Sequence, residues 1–177
     1  MRPHPDDRPG QQSMAAPHGW SLRRMTPADL PDLLDGQHRG AELGLADVFD
    51  QTRHPFPLDE IRDRWVAELQ DRSIAAYVVT GVDGQVLGFA ARRDDELLHF
   101  GTAPETWGSG LATWLHDAVL ASFPPEVRRV RLWVFAGNGR GRRLYEKLGW
   151  TPTGEERRTS YPPHPVLVEY ERLREES

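Results

Sequence analysis

A glycine-rich turn between a strand and a helix is the first place in this sequence where chemistry is expected. The segment Glu96–Thr102 is short and largely apolar, and it reads as a strand that Pro104 ends because proline lacks a ladder N–H. Gly108 and Gly110 follow, and apolar residues then recur at helical spacing from Leu111 onward. Free amides and the positive dipole end at such a helix start favour an anion, so the pattern is compatible with a phosphate site. Tight packing of the turn is the alternative interpretation, and it is the more frequent reason for a Gly-x-Gly between a strand and a helix.

Three other kinds of glycine-turn site are excluded by their spacing. A P-loop needs Lys and then Ser or Thr after its last glycine, whereas Leu and Ala follow Gly110. A dinucleotide-binding turn needs a third Gly or Ala where Thr113 stands. A hydrolase elbow needs glycines two residues on either side of Ser109, where this chain has Trp107 and Leu111.

The second chemical feature lies downstream, between Asn138 and Trp150. Four of its residues share one face of a predicted helix, namely Gly141, Leu144, Tyr145 and Leu148. Gly149 follows as a typical C-terminal stop for that helix. A tyrosine at this spacing is ordinarily a core residue, so its role depends on the pattern around it.

Together the two stretches resemble the GNAT superfamily of acetyl-CoA-dependent N-acetyltransferases. In that family a strand ending Val-x-Pro leads into Gln/Arg-x-x-Gly-x-Gly-x-Gly/Ala, which holds the CoA pyrophosphate. A later Asn-x-x-Ala-x-x-x-Tyr-x-x-x-Gly-Phe helix completes the cofactor site. The matching positions here are Thr102-Ala103-Pro104, Gly108-Ser109-Gly110-Leu111-Ala112, and Asn138, Gly141, Tyr145, Gly149 and Trp150. The departures are Thr102 for Val, Glu105 for Gln or Arg, Trp107 for the usual Arg, and Gly141 for Ala.

The resemblance implies acetyl-CoA as the cosubstrate. The Phe100 backbone N–H would face the thioester carbonyl as an oxyanion donor, and the Thr102 backbone would pair with the pantetheine amides. The remaining cofactor contacts are expected from the turn and the second helix, at Trp107, Gly108, Ser109, Gly110, Leu111, Ala112, Asn138 and Arg142. Arg140 and Arg143 stay open as alternatives to Arg142 for the CoA phosphates, and a solvated face explains the three arginines equally well. The histidines show no metal-ligand spacing, so no metal is predicted.

Acetyl transfer to an amine needs a base and benefits from an acid. Glu96 is predicted as the base, because it lies four residues before Phe100 and alternation would put both on one strand face. A solvated acid following Asp94 and Asp95 is the alternative interpretation of Glu96. Tyr145 matches the family residue that protonates the departing CoA thiolate.

The acceptor is predicted to be a primary amine on a small molecule or a peptide. It would enter between an irregular segment at residues 40–57 and the loop at residues 160–165, both of which carry acids or aromatic rings. Glu42, Phe56 and Tyr161 are assigned to substrate binding. A solvated loop explains the acids equally well, and an amino acid, a polyamine, an antibiotic amine and a peptide N-terminus all remain open.

The composition limits the domain organisation, the binding partners and the cellular location that we expect. The 177 residues, 38% hydrophobic, suit one domain at residues 20–177 behind a disordered tail at residues 1–19. A formal net charge of -5 argues against nucleic acid, and the lack of cysteine excludes a disulfide and an acyl-cysteine intermediate. No apolar run is long enough to cross a bilayer and no signal core is present, so we expect a cytoplasmic protein without a membrane partner. A homodimer is left open.

Periodicity and turn signals predict the element order β-α-α-β-β-β-α-β-α-β-β over residues 20–172. The fold class expected from the resemblance is α/β (α+β), a single GNAT-type domain. Its central sheet would be mixed but mostly antiparallel, with about seven strands flanked by about four helices. A non-catalytic acyl-CoA-binding or protein-interaction module on the same fold is the competing function. The presence of Tyr145 and Asn138 favours an enzyme in which the amine attacks acetyl-CoA directly in a ternary complex.

Overall fold

A computed structural model describes residues 18–175. Of the predicted tail at residues 1–19, residues 1–17 lie outside the described part of the chain. The elements follow the predicted order: β1 Ser21–Arg24, α1 Leu30–Gly44, α2 Leu58–Gln70, β2 Ala75–Thr80, β3 Val86–Arg93, β4 Glu96–Thr102, α3 Leu111–Ser122, β5 Arg129–Phe135, α4 Gly139–Lys147, β6 Thr151–Arg158 and β7 Val166–Leu173. Short 3₁₀ turns at Pro27–Asp29 and Pro104–Thr106 precede α1 and the glycine turn. The first helix is longer than expected, so the irregular segment begins after Gly44 rather than at Gly40.

One mixed sheet of seven strands, in the order β1-β2-β3-β4-β5-β7-β6, forms the centre of the described chain. Every neighbouring pair is antiparallel except β4 and β5, which run parallel. Helices α1 and α2 pack on one face, where Leu33, Trp65 and Val78 are buried. Helix α3 covers the other face with Leu111 and Leu115, and α4 packs beside it. The predicted fold class is confirmed.

Strands β4 and β5 pair at one end and separate towards the other. Their register holds a single pair of Cα partners, Glu96 and Arg131, and the Arg131 N–H donates to the Asp95 carbonyl at 2.8 Å. The Arg131 guanidinium binds both Asp95 carboxylate oxygens at 3.0 Å and Glu169 on β7 at 3.2 Å. This cation lowers the pKa of Asp95 and fastens the closed end of the two strands. Beyond it the edge of β4 has no β5 partner.

A bulge in β4 changes which side chains share a face. Ala91 on β3 pairs with His99 and the next β3 residue pairs with Leu97, so Leu98 is an extra residue on β4. Leu98 and His99 consequently both face α2, while Phe100 packs on the α3 face. The expectation that Glu96 and Phe100 share a strand face is therefore wrong, because the bulge interrupts the alternation between them.

Replacing Arg131 with methionine tests the strand clamp, which is the set of hydrogen bonds from Arg131 to Asp95 and Glu169. Glu169 is 5% exposed, and its Oε2 would lose the Arg131 hydrogen bond while remaining buried. Its Oε1 would keep the Thr153 hydroxyl at 3.0 Å and Arg129 at 4.0 Å. We expect the free energy of unfolding in urea to fall by about 1–3 kcal/mol, the cost of an unsatisfied buried polar group. The control is Arg53→Met, because the Arg53 side chain is 81% exposed. Equal stability of the two variants would show that the clamp contributes nothing measurable.

Candidate active site

A cavity of about 1010 Å³ opens where β4 and β5 separate. One side is formed by Phe100, Gly101 and Thr102 of β4, the glycine turn and α4. The opposite side is formed by α1, α2, the segment after Gly44 and the loop that contains Tyr161. Ligand pockets usually hold about 300–1,000 Å³, so this cavity lies at the upper end of that range.

The open edge of β4 presents backbone donors to the cavity. Ala103 N–H donates to Leu87 on β3 at 2.8 Å, so by alternation the N–H groups of Phe100 and Thr102 point to the unpaired edge. The Thr102 carbonyl on that edge accepts a hydrogen bond from the Trp107 indole N–H at 3.2 Å. A carbonyl or amide group placed in the cavity would find the Phe100 and Thr102 amides oriented towards it.

The glycine turn forms a cradle at the start of α3. Gly108 and Gly110 have φ angles of 83° and 88°, in the left-handed region that favours glycine. A Cβ on either residue would meet nothing within 4 Å, and both residues line the cavity, as Ala112 does. Ser109 does not line the cavity, and its Oγ accepts the Leu111 N–H at 3.2 Å. The Leu111 side chain is buried in the core.

Glu105, an acid where the resemblance expects Gln or Arg, is neutralised by a partner on α1. Arg39 binds its two carboxylate oxygens at 2.6 and 3.3 Å and also binds Asp35 at 3.0 Å. The guanidinium lowers the pKa of Glu105, so the carboxylate is charged and paired. The turn therefore carries no free negative charge from Glu105 towards an anion.

Trp107 and Arg140 stack against each other at the cavity wall. The Arg140 guanidinium carbon lies 3.6 Å from the Trp107 ring centroid, and both residues line the cavity. Burial, assisted by the nearby charge of Arg143, lowers the pKa of Arg140. Arg142, the arginine chosen from the sequence, is instead bound to the Tyr170 hydroxyl and the Ala136 carbonyl, both at 3.0 Å, and does not line the cavity.

Tyr145 faces the cavity from α4 next to Phe100. Their ring centroids are 6.3 Å apart, and Asn138 supports the helix start by accepting the Gly141 N–H at 2.9 Å. Within residues 18–175 the Tyr145 hydroxyl makes no hydrogen bond, so its proton is free for a ligand. Burial raises the pKa of Tyr145, which keeps the phenol protonated at neutral pH.

The acceptor side of the cavity holds some of the predicted residues and not others. Phe56 and Tyr161 line it, and Phe49 stacks on Tyr161 and contacts Phe135 edge to face. Glu42 lies on α1, where its carboxylate is 3.1 Å from His38, and it does not line the cavity. Glu96 does not line the cavity either, because it sits at the clamped end of β4.

Five polar residues that the sequence analysis did not select line this side: Gln37, Gln51, His54, Glu60 and Arg64. Glu60 and Arg64 flank Ile61 on the inner side of α2. A sequence signal existed for both, since charged residues at the border of an apolar helical stripe lie beside the core. Within the part of the chain that the structure describes, no group of three or more metal-ligating side chains occurs. None of the described helices has the length and apolar character needed to span a membrane.

Comparison with known families decides which class of protein carries this cavity. The model of the acetyltransferase (GNAT) family matches residues 42–150, more than half of the chain. The chain belongs to the GNAT family. The predicted family and the predicted class of enzyme, an N-acetyltransferase, are confirmed. No curated protein sequence matches the chain significantly.

Solved structures share the GNAT fold at low sequence identity. An acetyltransferase from Thermus thermophilus is 17% identical with a TM-score of 0.69, over 88% of this chain and 97% of that one. YjaB from Escherichia coli is 17% identical with a TM-score of 0.69, over 86% and 96%. A spermidine N-acetyltransferase from Vibrio cholerae, in complex with CoA and spermine, is 18% identical with a TM-score of 0.64, over 88% and 95%.

Membership of the GNAT family supports acetyl-CoA binding, and the cavity fits that molecule. The open glycine cradle suits the pyrophosphate, and the unpaired β4 amides suit the pantetheine arm. The stack of Arg140 on Trp107 supplies a cation beside the cradle.

Gly110→Ala tests the cradle. The added methyl group would occupy space reserved for the pyrophosphate, so we expect CoA to bind at least about tenfold more weakly by calorimetry, a loss of about 1.4 kcal/mol. Gly84→Ala is a matched control for backbone strain, since Gly84 has φ 78°, has open space at its Cβ and does not line the cavity. The two variants should lose similar stability, and only the first should lose CoA affinity. Equal CoA affinity in both would place the pyrophosphate elsewhere.

Proposed function

We propose that this protein transfers the acetyl group of acetyl-CoA to the primary amine of a small molecule, by direct attack in a ternary complex. The observation that carries the proposal is a single cavity that joins the unpaired Phe100 amide, the glycine cradle and the free Tyr145 hydroxyl. These groups match the three needs of the reaction, namely an oxyanion donor, a grip on the cofactor and an acid for the thiolate.

The residues have distinct roles in the transfer. The Phe100 N–H donates to the carbonyl oxygen as the amine nitrogen bonds to the carbonyl carbon, which stabilises the developing negative charge. As the carbon–sulfur bond breaks, the Tyr145 hydroxyl gives its proton to the sulfur, and the phenolate then regains a proton from solvent. An arriving ammonium must first lose a proton, and the nitrogen loses a second as the amide forms. Glu60 and His54 are the cavity-lining groups within residues 18–175 that can accept these protons, and Glu96 is replaced in that role.

The cofactor grip differs from the family pattern in its side chains. Trp107 occupies the position of the usual arginine, and Arg140 from α4 lies on its ring. We assign Arg140 rather than Arg142 to the CoA phosphates, because Arg142 is engaged by Tyr170 and Ala136. The guanidinium of this site thus comes from Arg140 on α4, and the aromatic ring on which it stacks comes from Trp107 in the turn.

Thiol release from acetyl-CoA across a panel of primary amines tests the function, with Tyr145→Phe as the diagnostic variant. The substitution keeps the ring and removes only the acidic proton, so we expect kcat to fall about 10²–10⁴-fold, the usual contribution of a positioned acid. CoA affinity should stay near the wild-type value. A wild-type protein that binds CoA and releases no thiol with any amine would be a non-catalytic acyl-CoA-binding module. An unchanged kcat in Tyr145→Phe would mean that the Tyr145 hydroxyl does not act as an acid and that the ring serves only in packing.

Arg140→Gln tests the phosphate assignment. Loss of a charge-assisted hydrogen bond should raise KM for acetyl-CoA about tenfold. KM for acetyl-pantetheine, which lacks the pyrophosphate, should not change. Arg143→Gln is the control on the same helix, since Arg143 does not line the cavity. A parallel rise for both thioesters would mean that Arg140 acts on packing and not on the phosphates.

A further inference from the structure

The charges on the cavity wall differ from those expected for a polycationic acceptor. Among the described residues, one carboxylate lines the cavity, that of Glu60. Three permanent cations line it, those of Arg64, Arg140 and Lys147. Arg140 and Lys147 lie on α4, which leaves Arg64 as a cation on the acceptor side that the cofactor phosphates do not explain.

Arg64 lines the cavity and is linked to β4 through Glu68 and His99. It precedes Glu68 on α2 by one helical turn, or about 6 Å along the axis. The Glu68 carboxylate lies 2.8 and 3.0 Å from His99 Nε2, and His99 immediately precedes Phe100 on β4. Arg64 lines the same side of the cavity as Tyr161, which lies in the loop between β6 and β7.

The Arg64 guanidinium has donors to spare. Its contact with Glu68 is long, at 3.8 Å, and within residues 18–175 it donates no hydrogen bond. Burial opposes ionisation of Glu68, but the hydrogen bond with His99 and the charge of Arg64 hold the pKa of Glu68 below its usual range. The side chain of Arg64 is 41% exposed, although burial of part of it lowers its pKa. An always-charged group with five N–H donors thus faces the cavity.

Glu60 lies one turn before Arg64 on the same wall. Residues at this spacing are neighbours on a helix and ordinarily pair when their charges are opposite. Glu60 forms no ion pair within the described residues, with Arg64 or with any other cation. The wall therefore displays a negative and a positive group side by side, and each is free to meet a charge of the opposite sign.

We propose that the acceptor is a small zwitterion, an amine that carries a carboxylate, with its carboxylate bound by Arg64 and its ammonium facing Glu60. The inference rests on the proposed function and specifies its substrate class. A guanidinium binds a carboxylate through two parallel hydrogen bonds, which fixes the orientation of the amine as well as its affinity. Phe56, Ile61 and Tyr161 line the same side and would contact the apolar part of the acceptor.

The test compares amines that differ only in the carboxylate. L-phenylalanine, L-leucine and 4-aminobutanoate are each paired with the amine that lacks the carboxylate, namely 2-phenylethylamine, 3-methylbutylamine and propylamine, and spermidine is added. Binding to the CoA-loaded protein is measured by calorimetry. We expect at least one carboxylate-bearing amine to bind at least about tenfold more tightly than its partner, and Arg64→Gln to remove that difference. Arg64→Lys should retain part of it, because lysine keeps the charge without the paired donors.

Arg62→Gln is the control on α2, since Arg62 pairs with Asp59 and does not line the cavity. It should keep the wild-type preference, and CoA affinity should be unchanged in all three variants. No binding of any carboxylate-bearing amine, or equal binding within each pair, would overturn the inference. A preference that survives in Arg64→Gln would do the same.

Thiol release on the same probes separates the two proposals. A carboxylate-bearing amine that binds through Arg64 without releasing thiol would uphold the zwitterion site and reject acetyl transfer to this class. Thiol release with propylamine or spermidine, and no preference for the carboxylate, would uphold acetyl transfer and reject the zwitterion site.

Discussion

The site depends on a parallel strand pair that is fastened at one end only. Arg131 on β5 reaches Asp95 at the start of β4 and Glu169 on β7, so three strands meet at one guanidinium. From that point β5 follows its seven-residue register with β7, and β4 follows β3. The two halves of the sheet diverge because each is bonded to a different partner. The cavity, the free amides of β4 and the position of the glycine turn all follow from this divergence.

Much of this arrangement could be predicted from local pattern. The bounds of β4, the start of α3 at Leu111 and the end of α4 before Gly149 depend on alternation, helical spacing and glycine stops, which the sequence displays directly. Tyr145 could be placed in the cavity because its helix face and its motif agree. These are short-range features, and each is determined by residues close to one another in the chain.

The predictions that went wrong depend on contacts that are distant in sequence. The bulge at Leu98 arises from pairing with β3, and the residues Glu96–Thr102 alone do not predict it. Arg142 and Arg140 are two residues apart on one helix, and their roles differ because Tyr170 on β7 binds one while Trp107 supports the other. Glu42 does not lie on the acceptor side of the cavity, because α1 continues to Gly44 and includes Glu42. Arg64 became a candidate only when α2 was placed against the cavity.

Because of the unpaired edge of β4, the free energy of unfolding is expected to depend on the concentration of a ligand that binds there. A strand with free amides is an incomplete sheet edge, and on the proposed site a pantetheine arm would bond to these amides as a neighbouring strand does. Mass action then adds about 2.7 kcal/mol to the free energy of unfolding when the free ligand is present at a hundred times its Kd. The melting temperature should accordingly follow the supply of CoA in the solution around it. Resistance to proteolysis would vary with it, since cleavage acts on opened molecules.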